Sequence, residues 1–168
     1  MRRPALALVA LTAFVGGCSA YQITKPDALP IEALAAPPAG KGQICVLRPH
    51  WIAGLVLMTV RDNGELVGAT RGVTYFCYYA EPGHHHITSH ADSTDVAEID
   101  VAVGQSYYLH QIVDNIAGWV RARLAWVTPD LAREMVEKCG YRVLTSVPAK
   151  DKLPDSPPIA AASHPSGS

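Results

Sequence analysis

The sequence predicts an all-β protein: an immunoglobulin-like β-sandwich of about 8–9 antiparallel strands with one short C-terminal helix. Three observations carry this. Between Lys41 and Val147, short runs rich in β-branched and aromatic residues recur. Turn residues separate these runs at roughly 8–12-residue spacing. No internal repeat and no alternation of strand and helix patterns is present, which argues against a parallel nucleotide-binding sheet.

The elements follow in order. GQICVLR is a strand, stopped at Pro49 because proline cannot donate to a ladder. Leu55 to Arg61 and Glu65 to Thr70 flank Asn63-Gly64, which supplies the paired positive φ of a type I′ hairpin. Arg71-Gly72 turns the chain into VTYFCYYA, the strongest aromatic strand signal. Pro82-Gly83 turns it again into a histidine-rich run. Asp95 to Val103 alternates, with Val96, Glu98 and Asp100 on one side and Ala97, Ile99, Val101 and Val103 on the other. SYYLHQIV and Gly118 to Val127 follow as strands. Thr128-Pro129-Asp130 then gives a cap, a proline at the first helical position and an acid in the first turn. Leu131, Met135, Val136 and Cys139 sit near helical spacing, with Gly140 expected to end the helix. Tyr141 to Thr145 closes the domain.

The two ends differ in kind. Arg2 and Arg3 precede the apolar run Ala5 to Val15, too short to span a bilayer as a helix, which needs about 20 residues. This is the layout of a secretory signal over 1–17. Val15-Gly16-Gly17-Cys18 resembles the lipobox of bacterial lipoproteins. That resemblance implies lipidation at Cys18, with Ser19 after it pointing to the outer membrane and the periplasmic face. Residues 18–40, rich in Pro and Ala, read as a tether. Residues 148–168 read as a Pro/Ser-rich disordered tail. Without Arg2 and Arg3, the 14 basic residues become 12 against 15 acidic ones. No basic cluster remains, so nucleic acid is not an expected partner.

Several motifs in order and spacing resemble the DUF2846 family of bacterial lipoproteins. These are Arg48-Pro49, the Asn63-Gly64 hairpin, Tyr75-Phe76 ahead of Pro82-Gly83, a histidine at position 85, and Gly104 followed by Tyr107-Tyr108. They cover roughly 40–144. The resemblance implies a small β-sandwich on a lipid anchor and brings no catalytic residues.

Four histidines occupy the stretch EPGHHHITSH. On a strand, side chains alternate faces. His84, His86, Thr88 and His90 then share one face; His85, Ile87 and Ser89 share the other. Ile87 marks the core side, so His85 is expected to be partly buried at the strand entry and to satisfy turn backbone groups. His84 and His86 form a His-x-His pair. That pair would hold Zn, Ni or Cu only if a third ligand converged, with His90, His110, Asp92 and Asp95 as the candidates.

With Cys18 assigned to lipid, three thiols allow one disulfide and one leftover. Cys45–Cys77 is the expected bridge, joining the two sheets; Cys139 is the alternative partner for either. No Cys-x-x-Cys or Gly-x-Ser-x-Gly is present. Ser106, His110 and Asp114 would spread over about 27 Å of strand and cannot act as a triad. Asp92, Asp95, Glu98 and Asp100 read as a solvated acidic edge. The expectation is therefore a non-catalytic protein with a binding or structural role at the envelope. An envelope hydrolase and a transition-metal binder stand as the alternatives. Trp51 and Ile52 in the loop 50–54, and Trp119 in the segment 114–119, are the candidate contacts for an envelope protein.

Overall fold

A computed structural model describes residues 20–26 and 36–154. The expected signal segment 1–17, Cys18 and positions 155–168 of the expected tail lie outside the described residues. Among the described residues, eleven strands form three sheets, and there is one helix. The strands are β1 (Gln22–Thr24), β2 (Gly42–Arg48), β3 (Leu57–Asp62), β4 (Glu65–Arg71), β5 (Thr74–Ala80) and β6 (Gly83–His90). They continue with β7 (Thr94–Val101), β8 (Ser106–Ile116) and β9 (Trp119–Val127), then α1 (Pro129–Lys138), β10 (Gly140–Tyr141) and β11 (Val143–Ser146).

The sandwich has a five-stranded sheet, ordered β10-β5-β2-β8-β9, facing a four-stranded sheet, ordered β4-β3-β6-β7. The expectation of antiparallel strands throughout needs correction, because β2 pairs parallel with β8 and β10 pairs parallel with β5. The turn signals mark where strands end. They do not say which strand becomes the neighbour, and β2 and β8 are joined only through the whole opposite sheet.

β2 is buried along its full length, as a central strand covered on both faces should be. Ile44, Val46, Phe76, Val60, Ile87 and Leu109 lie in the main core. A polar bridge crosses it. Gln111 on β8 donates from Nε2 to Ser89 Oγ on β6 at 2.7 Å and accepts from the Thr70 hydroxyl on β4. All three are buried, so each satisfies the others away from water.

One lateral edge is sealed by acids. Asp92 accepts from the Val120 N–H at 2.8 Å, and Asp95 from the Leu124 N–H at 2.7 Å. Of the acids read as a solvated edge, these two instead close β7 against β9. Glu98 and Asp100 do remain exposed. The other edge carries a third layer. β1 pairs with β11, and Ile23 and Leu144 pack with Leu66 and Ala69 of β4. Residues 22–24 thus belong to the folded body rather than to a tether that runs to position 40.

α1 packs on β2 and β8, burying Ala132 and Met135, while Leu131 is exposed. The Thr128 hydroxyl caps Leu131 N–H, and Pro129 opens the helix, as the sequence predicts. Gly140 does not end the helix in a left-handed conformation. Cys139 caps it, and Gly140 starts β10 with its N–H on the Val73 carbonyl at 3.1 Å.

Cys45 and Cys77 form a disulfide with Cα atoms 4.0 Å apart. They are direct partners on adjacent antiparallel strands, so the bridge lies within one sheet and does not join the two. Cys139 remains a thiol, pushed up to about 11 by burial.

Candidate functional site

Strand direction sorts the turns into two ends. β3 runs from Leu57, beside the loop 49–56, to Asp62, beside Asn63-Gly64. One end therefore carries the loop 49–56, the turn at Gly72, the turn 91–93 and the β8–β9 tip. The opposite end carries Lys41, Asn63-Gly64, Pro82-Gly83 and Gly104.

The first end is apolar on its outside. Trp51 is 65% exposed, Leu55 84% and Trp119 67%; Ile52 and Ile116 are also exposed. The Trp51 indole lies across two glycines. A methyl group at Gly54 would come within 2.5 Å of that ring, and one at Gly72 within 2.6 Å. Only glycine admits so close an approach, and Gly72 also takes a positive φ of 60°. The ring is thus packed against both glycines while most of it faces solvent. At the β8–β9 tip, Ala117 and Gly118 both have positive φ and form a two-residue hairpin. A cavity of about 430 Å³ opens beside it, lined by Asp92, Ser93, Ile116, Ala117, Trp119 and Arg121.

What holds the loop 49–56 is a buried cation. Arg48 is fully buried. Its guanidinium donates to the carbonyls of Val56 at 2.9 Å, Ile52 at 2.9 Å and Ala53 at 2.8 Å. No carboxylate pairs with it among the described residues. Burial lowers its pKa to about 10, so it stays charged at neutral pH. Beneath the loop, Ala53 and Val56 pack with Met58, Val113, Val120 and Ala122. This joins the Trp51 loop to the strands that present Trp119. Among the described residues, Ala53 (φ 50°) and Ala117 (φ 51°) are the two alanines with positive φ, and each sits in one of the two tryptophan-bearing turns. Such strain costs on the order of 1–3 kcal/mol and tends to collect at functional sites.

The opposite end is polar and closed on itself. His85 is buried: Nδ1 lies 2.7 Å from Asp62 Oδ2 and Nε2 lies 2.7 Å from the Glu81 carbonyl. Tyr78 donates its hydroxyl to the same Asp62 oxygen at 2.9 Å. Burial, with Asp62 beside it, raises the Tyr78 phenol well above its ordinary value. The ring of His85 has both nitrogens engaged, one of them on a turn carbonyl.

The remaining histidines do not converge. His84 lies 3.0 Å from Asp100 and His86 3.1 Å from Glu98, each an exposed cross-strand pair. His90 bonds to the Thr94 hydroxyl. His110 is on β8 in the facing sheet, where its ring neighbour is His50 at 5.9 Å. Burial and His50 lower its pKa. Among the described residues, no group of three or more His, Cys, Asp or Glu side chains could hold a metal ion. The third ligand that His84 and His86 would need to hold Zn, Ni or Cu does not converge on them from His90, His110, Asp92 or Asp95 among the described residues. The pleat puts His84, His86 and His90 on one sheet's outer face and leaves His110 on another sheet. Ser106, His110 and Asp114 all lie along β8, at four-residue steps of about 13 Å.

Two participants in the apolar end escape a sequence reading. Leu55 reads as the start of a strand, but β3 begins at Leu57. Ile116 falls within the candidate contact segment 114–119, and β8 extends to include it. Arg48 reads as the last residue of an apolar run, and its position just before Pro49, where the chain leaves the sheet, is the one signal for its role.

No family model, no curated protein and no solved structure matches this chain. The resemblance to the DUF2846 lipoproteins therefore rests on the quoted motifs alone. Among the described residues, no helix is long and apolar enough to cross a membrane.

Proposed function

We propose that this protein is a non-catalytic, lipid-anchored β-sandwich domain of the cell envelope that binds an envelope protein through its Trp51–Trp119 end. The lipobox-like Val15-Gly16-Gly17-Cys18 supports anchoring at Cys18, and Ser19 supports the periplasmic face of the outer membrane.

The observation that carries the binding reading is the exposure of Trp51, Leu55 and Trp119 at one end of a body whose core is otherwise well buried. Tryptophan is enriched among residues that dominate protein interfaces, and contiguous exposed apolar surface rimmed by polar groups marks such sites. Preorganisation supports it further. Arg48 fixes three carbonyls of the loop before any partner arrives, which lowers the ordering cost of association.

The test is crosslinking in native envelopes from a photoreactive side chain at position 119, compared with one at position 86 on the histidine face. The reading expects a discrete adduct from 119 that disappears in Trp51→Ser with the fold intact by circular dichroism. Equal adducts from both positions, or an adduct indifferent to Trp51→Ser, would overturn it.

A further inference from the structure

We infer that the domain stands on the bilayer on its Lys150–Pro154 end, with Lys150, Lys152 and Leu153 against the phospholipid headgroups and the Trp51–Trp119 end directed away. This rests on lipid anchoring at Cys18 and adds an orientation and a lipid-contact surface to it.

The argument begins with a clamp. Tyr21 donates its hydroxyl to Asp151, and Arg61 donates to the other Asp151 oxygen. These two bonds hold the Asp151 carboxyl below its ordinary value. β1 follows at once, with Gln22 in register with Ser146 and Thr24 with Val143. The start of the described chain and the segment 147–154 are thus fastened together on the end of β3 that carries Asn63-Gly64.

Covalent geometry then limits the separation from the anchor. Cys18 lies three residues before Tyr21, which reach at most about 11 Å when extended. A tether over 18–40 would have left the body free to turn. Strand β1 shortens it to three residues.

The surface so placed has suitable chemistry. Lys150 and Lys152 are exposed, and the acid between them is already engaged by Arg61 and Tyr21. Leu153 is 44% exposed beside them. A lysine close to an anionic leaflet is drawn to it, and an exposed leucine can enter the headgroup boundary. β3 rises about 13 Å from Arg61 to Leu57, and the loop that carries Trp51 lies beyond Leu57, on the side away from the bilayer.

The experiment uses the full-length protein purified with its anchor, reconstituted in vesicles containing anionic phospholipid and a lipid with a nitroxide quencher near its headgroup. Mass spectrometry of the N-terminal peptide first establishes whether Cys18 is acylated. The native tryptophans are 51, 119 and 126, and Trp126 lies on β9 toward the bilayer-facing end, so Trp126→Phe is used throughout. The expected result is that the emission of Trp51 and Trp119 is little quenched, while Leu153→Trp in that background loses roughly a third of its emission, the share of one interfacial tryptophan in three. Lys150→Glu with Lys152→Glu in that background should remove most of the loss. Acylated protein with Leu153→Trp unquenched, or with Trp51 and Trp119 quenched, overturns the orientation and leaves the anchor standing. An N-terminal peptide without acyl chains removes the anchor and this inference with it.

Discussion

The two ends of the sandwich solve the same problem in different ways. Each has turn carbonyls to satisfy, and each uses one buried side chain from an adjoining strand. At the polar end, His85 meets the Glu81 carbonyl and has Asp62 against its other nitrogen. At the apolar end, Arg48 meets three carbonyls and has no carboxylate partner among the described residues. At the polar end, turn, carboxylate, imidazole and phenol close on one another. At the other, the loop is held from below while Trp51, Ile52 and Leu55 remain outside. Folding alone does not call for those exposed groups, which contribute little apolar burial. The difference therefore separates what the fold needs from what it displays.

The largest expected effect comes from breaking the cation. Arg48→Ala leaves three carbonyls to find new partners and opens a cavity, so it should cost about 4 kcal/mol in urea unfolding. Faster amide exchange confined to 50–56 in partially destabilised protein would show that the loop depends on it. An effect below about 1 kcal/mol would mean water replaces the guanidinium freely.

Next is the polar end. His85→Leu removes a ring bonded at both nitrogens and leaves Asp62 buried with only Tyr78, at a cost of about 3 kcal/mol. Adding Asp62→Asn should recover part of that loss, because the stranded charge is gone. Failure of the second change to restore anything would locate the cost in packing.

The clamp gives a pH dependence. Asp151 is held below its ordinary value by Tyr21 and Arg61. Its contribution is then fully present above the ordinary carboxylate range and is lost as pH falls through the lowered folded value. The Tyr21 ring resonances should be steady down to about pH 4 and move only below it. Movement that begins near neutral pH would assign the clamp to another group.

The smallest expected effect on stability, and the sharpest on function, is at the exposed rings. Trp51→Ser and Trp119→Ser should each change stability by under about 1 kcal/mol, since most of each ring faces solvent. Crosslinking to a partner should nevertheless fall. A loss of several kcal/mol would make these rings structural.

Much of the strand layout is already written in the chain. Strand positions follow from turn chemistry: Asn63 and Gly64 both take the positive φ their residue types favour. The inward set of β6 follows from pleat parity, because Ile87 fixes which face meets the core and His85 must follow it. Pairing partners were less accessible. Nothing local to residues 42–48 or 106–116 reveals that these strands lie parallel, since contacts between them depend on the path of everything in between. For the same reason, the sequence offers Cys45 and Cys77 as partners but not the sheet geometry that joins them.

By itself, the sequence determines the all-β class, the hairpin at Asn63-Gly64, the helix cap at Thr128 and the alternation that buries His85 beside exposed His84 and His86. These are short-range properties, set by φ preference, capping and a two-residue period. Only the tertiary structure decides that Arg48 gathers the loop carrying Trp51, that Asp92 and Asp95 seal an edge, and that Tyr21 and Asp151 meet across the body. Those contacts join residues far apart in the chain, and the chain's own local preferences carry no information about which distant group will fill a given hydrogen bond.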